Sequence, residues 1–248
     1  MRIEYLYREV ACLYGEHANV TAIQRAVPGC EVLETPLTEK PKFLDPAEKI
    51  DLVYMGTMTE SAQLLVIEKL SPYRQEIIDA IEGGQNFLIT GNALEVFGSG
   101  ITEKGPVAFE AAGGEYVKGL AIFPFHTERD MIHRYNSLCL QEYKGIKVMG
   151  LHSQFGHSWY DGEVEPFFDM VRGPGFHLDC KTEGIHHKNF YATYTLGPLF
   201  IMNPPLMVKV LEEMGFPGVH PAFEETAMKA YEERVAEYSD PSTGFYYA

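Results

Sequence analysis

The chain has 248 residues, 46% of them apolar, with 20 basic and 35 acidic side chains and a formal net charge of −15. This is enough apolar material for one substantial core and excludes fibrous and mostly disordered classes. The acidic balance opposes nucleic acid, and no stretch approaches the ~20 apolar residues that a membrane span needs. The opening segment, MRIEYLYREV, lacks the charged-then-apolar layout of a signal peptide, so a soluble cytoplasmic protein is expected. Cys12, Cys30, Cys139 and Cys180 are widely spread, with no Cys-x-x-Cys pair. They read as reduced thiols, and neither a disulfide framework nor a zinc ribbon is indicated.

In the first half, β-branched or aromatic runs at residues 2–7, 31–33, 51–56 and 86–90 alternate with amphipathic helical stretches. This is the pattern of a parallel sheet covered by helices. Ser71 and Pro72 provide an N-cap and a first helical residue, Ile77, Ile78 and Ile81 share a face, and Gly83-Gly84 stops the helix. From Gly113 the strands become shorter and less regular, at 120–125, 137–142, 147–150, 167–172 and 189–195, as expected of added or antiparallel strands. Asn203-Pro204 opens a helix with Leu206, Val210 and Leu211 on its apolar face and Gly215 as its stop. Phe223, Ala227, Tyr231 and Val235 then recur every four residues beside Glu224, Glu225, Glu232 and Glu233, which fits a helix packed on the core or on a partner. No repeat or linker interrupts the chain. One domain over 1–248, with a C-terminal helical extension at about 220–248, is predicted.

The segment Phe87-Leu88-Ile89-Thr90-Gly91-Asn92-Ala93-Leu94-Glu95-Val96-Phe97-Gly98 runs a buried strand into small residues and then a helix. A nucleophile elbow is built this way, although a plain connection that needs glycine reads the same. Together with Leu13-Tyr14-Gly15, Asn19, Met55-Gly56-Thr57, Gly119-Leu120, His126-Thr127-Glu128-Arg129, the Gly150 loop, Gly197-Pro198-Leu199 and Asn203-Pro204, it makes the chain resemble a known family. That family is the class I glutamine amidotransferases of the cobyric acid synthase type. In pattern the chain is similar to the glutaminase subunit of lipid II isoglutaminyl synthase, which works beside a Mur-ligase-like subunit in peptidoglycan amidation. The resemblance covers roughly residues 5–215. It implies an α/β fold, a three-layer sandwich around a mostly parallel sheet of the flavodoxin-like kind.

Transferred residue by residue, the resemblance implies a site without its chemistry. The register set by Gly98 places Gly91 where the family has its nucleophilic cysteine, and Leu196 stands where the family has a histidine before Gly-Pro-Leu. Glu95 takes the place of a glutamine that helps hold the substrate amide. The Glu-x-His after Gly150 is replaced by His152, Ser153 and Gln154. A thiolate and an imidazole act together in a cysteine glutaminase, and loss of either removes most of the rate. Thr90 points into the sheet by register, and Cys139 and Cys180 read as small hydrophobes.

Gly56 and Thr57 occupy an oxyanion-hole position in the family, or simply turn the chain. Arg129 reads either as the holder of a substrate carboxylate or as a loop ion pair. Seven histidines crowd between His126 and His187, without the spacing of a metal site. Of these, His152 and His157 are expected, with Gln154, Asn92 and the residues above, to line the pocket and hydrogen-bond a small polar ligand such as glutamine. The aromatic stretch from Phe155 to Phe168 reads as packing. No metal or cofactor is implied. The expected function is a catalytically silent amidotransferase-like subunit that binds or regulates a Mur-ligase-like partner. The alternative is an active amidotransferase or amide hydrolase with rewired residues in the same cleft.

Overall fold

A computed structural model describes residues 1–104 and 116–247. In chain order the first half contains β1 (Arg2–Leu6), α1 (His17–Ala26), β2 (Glu31–Thr35), β3 (Leu52–Met55), α2 (Glu60–Leu70), α3 (Arg74–Glu82) and β4 (Phe87–Thr90). A 3-10 helix, Gly91–Phe97, follows directly. The second half contains β5 (Gly100–Lys104), β6 (Tyr116–Lys118), β7 (Phe125–Asp130), β8 (Tyr135–Tyr143), β9 (Ile146–Gln154), β10 (Gly156–Tyr160), β11 (Phe168–Arg172), β12 (Thr182–Glu183), β13 (Ile185–His187) and β14 (Phe190–Thr193). It ends with α4 (Leu199–Met202), α5 (Pro204–Glu213), α6 (Glu224–Ser239) and β15 (Tyr246–Tyr247).

Six strands form the main sheet in the order β13-β14-β4-β3-β1-β2, all parallel except the edge strand β13. β3, β4 and β14 are buried at every position, which is why their sequences read as continuous apolar runs. Alternate side chains serve opposite faces. Val53, Met55, Phe87 and Ile89 meet Val66, Ile67, Ile77 and Ile81 of α2 and α3. On the other face Leu52, Tyr54 and Leu88 meet Val20 and Ile23 of α1 and Leu206 and Val210 of α5. Helix, sheet and helix thus form three layers. Each fully buried aliphatic side chain contributes on the order of 2 kcal/mol of apolar transfer energy.

The remaining strands form two further sheets, β10-β7-β5-β6 and β12-β11-β8-β15, with β9 paired on β8. β8 and β9 make a hairpin of nine register pairs, turned by Lys144 and Gly145. Both have positive φ (48° and 84°), the geometry that matches strand twist in a two-residue turn. The change of texture at Gly113 falls outside the described residues. The strand expected at 120–125 begins only at Phe125: Leu120, Ile122 and Phe123 give their N–H groups instead to Val96 and Phe97 carbonyls of the 3-10 helix. The helix expected after Gly91 is 3-10, and six of its seven residues are buried, so surrounding contacts rather than helix propensity shape it. The tail helix is α6, which packs Tyr231, Val235 and Tyr238 on Leu140 and Met149 of the β8/β9 hairpin. Tyr231 also donates to the Lys147 carbonyl at 2.8 Å.

Candidate functional site

The turn from β4 brings Gly91 to φ +63°, a backbone conformation that suits glycine and strains other residues. A Cβ at Gly91 would lie 1.9 Å from Thr57 Oγ1 and 2.8 Å from Thr57 Cβ. Thr57 is buried and its hydroxyl has no hydrogen-bond partner, so it stands where a nucleophilic side chain at position 91 would begin. Asn92 ties the two loops together: its amide accepts from Met58 N at 3.0 Å and donates to Met58 O at 2.9 Å. Gly56 is required by close packing, since a Cβ there would be 2.8 Å from the Ala11 carbonyl oxygen. Thr90 turns away from the cleft and meets the Tyr54 hydroxyl at 2.9 Å.

Beside this turn lies a cleft of about 70 Å³ lined by Thr57, Asn92, Glu95, Arg129, Arg134 and Gln154 among others. Small-molecule sites commonly span about 300–1,000 Å³, so this conformation has room for water rather than for an amino acid. The floor is charged and fully buried. Glu95 accepts from Gln63 Nε2 and from the Tyr194 hydroxyl, each at 2.9 Å. Burial pushes its carboxyl pKa up, against the pull of Arg129 and those two hydrogen bonds. Gly156 covers it, where a Cβ would sit 2.4 Å from Glu95 Oε1. Arg129 donates through Nε to Glu103 Oε1 at 2.7 Å and through Nη1 to Gln63 Oε1 at 2.7 Å. Burial works against the guanidinium, but pairing with Glu103 and Glu95 outweighs it and keeps the pKa high. Arg129 is therefore committed to an ion pair, but a buried one on strand β7 rather than in a loop, while still lining the cleft.

The cluster expected around the β9 loop is divided by the structure. Gln154 lines the cleft, donates to the Gly156 carbonyl at 2.6 Å and leaves Oε1 unpaired. His157 lines an adjoining depression of about 260 Å³ with Tyr135, Phe155 and Trp159. His152 is a correction: it has no exposure and lines neither space, because β8 and the segment after β14 close over it. Its Nε2 lies 3.3 Å from Thr195 Oγ1, and burial pushes its pKa down to about 3, so it is a neutral interior imidazole at physiological pH. Leu196 is buried too, with paired backbone bonds to Leu151 at 3.0 and 3.1 Å. Gly150 permits that approach, since a Cβ there would meet the Leu196 carbonyl at 2.6 Å. Cys139 is buried, and burial pushes its thiol pKa up, away from thiolate chemistry. His126 and His177 each stack on Trp159.

Four buried polar residues of this region were absent from the sequence reading: Glu16, Gln63, Glu103 and Tyr194. Gln63 carried a signal, since it falls with Val66, Ile67 and Leu70 on the buried stripe of α2, where a polar side chain needs a partner. Glu16 has none in its sequence context. It sits behind the turn, accepting from the Tyr54 hydroxyl at 3.4 Å and Asn19 Nδ2 at 3.3 Å, and its Oε1 is unpaired. Burial raises its pKa to about 7, despite hydrogen bonds from Thr90 and Tyr54. Because the folded value lies above the ordinary 4.5, stability is fully present below about pH 4.5 and is lost as pH rises through about 7. Glu16→Gln is expected to remove roughly 2–3 kcal/mol of that loss. Urea unfolding at pH 5 and pH 8 measures it; an unchanged pH slope in the variant would show that Glu16 is already ionised in the fold.

No protein-family model matches the chain. Among solved structures, a glutamine amidotransferase superposes with a TM-score of 0.54 at 12% identity, covering 86% of this chain and 98% of its own. PurLQS from Thermotoga maritima gives 0.51 at 10% identity, covering 94% and 98%. The fold is that of a class I glutamine amidotransferase. In sequence the chain is 25% identical over 213 residues to subunit GatD of lipid II isoglutaminyl synthase (glutamine-hydrolyzing) from Staphylococcus aureus, covering 83% of this chain and 82% of that protein. It is 21% identical over 249 residues to the protein of the same name from Streptococcus pneumoniae, covering 97% and 91%.

Proposed function

We propose that this chain is a glutamine amidotransferase-like subunit in cell-wall precursor amidation that lacks Cys/His glutaminase chemistry. In this reading it serves a Mur-ligase-like amidating enzyme as a binding or regulatory subunit. The two GatD relatives, each aligned over more than four-fifths of both chains, support the setting. The observation that carries the loss of chemistry is the turn itself: position 91 is a glycine in a left-handed conformation, and Thr57 fills the space a nucleophile would take. Position 196 is a buried leucine, and the His152 imidazole is buried and does not line the cleft. A small polar ligand such as glutamine would meet Thr57, Asn92, Glu95, Arg129 and Gln154, and would need the cleft to widen first.

The test is glutamine-dependent ammonia release by the purified chain, alone and with a Mur-ligase-like partner. Background rates in both cases are expected, together with complex formation. Turnover that disappears in Glu95→Gln would instead favour the rewired enzyme, for which the buried Glu95 carboxyl at the cleft floor is the group of interest.

A further inference from the structure

On the opposite face of the sheet from α2 and α3, a groove of about 400 Å³ opens between α1, the α4–α5 junction and α6. Its volume falls within the usual range for small-molecule sites. The floor is apolar: Phe200 and Met207 are core residues, flanked by Pro204 and Ala227. Arg25 and Arg234 also line it, one from α1 and one from α6, and neither has an ion pair or hydrogen bond among the described residues. In a chain of net charge −15, two unpaired arginines at one apolar concavity are conspicuous, because nearby carboxylates would ordinarily take them. Phe223 stands at the lip with 78% of its surface exposed and a left-handed backbone (φ +54°, ψ +45°), a conformation costing about 1–3 kcal/mol in a bulky residue. A large apolar side chain held out in this way has nothing to bury against until the groove is filled.

We infer that this groove binds a single-chain amphipathic carboxylate. The apolar body lies against Phe200, Pro204 and Met207, the carboxylate is shared by Arg25 and Arg234, and Phe223 closes over the chain. A concavity of about 400 Å³ suits a small ligand rather than the broad surface of a second copy. None of these residues lines the cleft beside Gly91, so the outcome is independent of the glutaminase assay.

Calorimetric titration of the full chain with decanoate tests the inference, with decanol supplying the body without the charge and acetate the charge without the body. Saturable one-to-one binding of decanoate is expected, with decanol at least tenfold weaker and acetate silent. Arg25→Gln and Arg234→Gln should each weaken decanoate by roughly tenfold, the effect of one charge-assisted hydrogen bond, and bring it closer to decanol. Phe223→Ala should weaken both ligands alike. All three positions are at the surface or rim, and unfolding curves confirm that the variants fold. Equal affinity for decanol and decanoate, indifference to both arginine substitutions, or non-saturable uptake overturns the inference. So does a concentration-dependent dimer that the arginine substitutions abolish, which would assign the groove to a second copy of the chain.

Discussion

Replacing Gly91 by cysteine is expected to destabilise the chain by about 4 kcal/mol and to leave glutamine hydrolysis at background. The stability loss has two sources. A non-glycine residue at φ +63° carries left-handed strain of about 1–3 kcal/mol. The new Cβ would also fall 1.9 Å from Thr57 Oγ1 and 2.8 Å from Thr57 Cβ. Rotating the threonine side chain relieves the first contact but not the second, so backbone must move at a further cost of about 1–3 kcal/mol. The activity should stay at background because a thiol there would still lack a base: Leu196 cannot accept a proton and His152 is buried elsewhere. Removing the obstruction in the double variant Thr57→Gly/Gly91→Cys should recover more stability than independent effects allow, the mark of two residues competing for one space. Urea unfolding and an ammonia-release assay read the two quantities. A stable Gly91→Cys single variant that hydrolyses glutamine would refute the reading of this turn.

Arg129→Met should cost about 3–5 kcal/mol, the usual penalty for removing one partner of a buried ion pair. The guanidinium lies among Glu103, Glu95 and Gln63, and Glu103 Oε2 is already without a partner. Deleting the only cation among them leaves carboxylates in a space closed by Gly156 and Tyr194. The sign is tested by pH: the variant should regain part of its stability as pH is lowered and the stranded carboxyls take up protons, whereas lost packing alone would be insensitive to pH. The triple substitution Arg129→Met/Glu103→Gln/Glu95→Gln should recover much of the loss at neutral pH. Thermal or urea unfolding between pH 5 and pH 8 follows both effects.

The main sheet was legible from sequence because its strands are buried on both faces. Phe87-Leu88-Ile89-Thr90 and Leu52-Val53-Tyr54-Met55 are buried at every position, so their nearly continuous apolar runs mark them. The helix α5 was equally plain, because proline at the first turn and an apolar stripe are local signals. In α3 the stripe is as expected but the start is not: Ser71 closes α2, its hydroxyl donating back to the Ile67 carbonyl at 2.7 Å, Pro72 lies in a 3-10 turn, and α3 begins only at Arg74. β10, from Gly156 to Tyr160, was not: glycine, histidine, serine and two aromatics give no alternation, and the strand exists only because β7 offers it a ladder. His152 shows the same limit at the site. Ser153 and Gln154 line the cleft, whereas His152 on the same strand meets Thr195 in the interior, because the segment after β14 packs over it.

What the sequence determined by itself was the α/β layering and the residue types at the decisive turn: position 91 holds a glycine and position 196 a leucine whatever the fold does with them. Only the tertiary structure decided what those residue types mean in space. It set Thr57 against Gly91, took His152 out of the cleft and joined Arg129 to Glu103, Gln63 and Glu95 from separate elements. The physical reason is range. Hydrophobic periodicity is written in residues a few positions apart, whereas steric obstruction and buried charge depend on groups that chain topology brings together from distant positions.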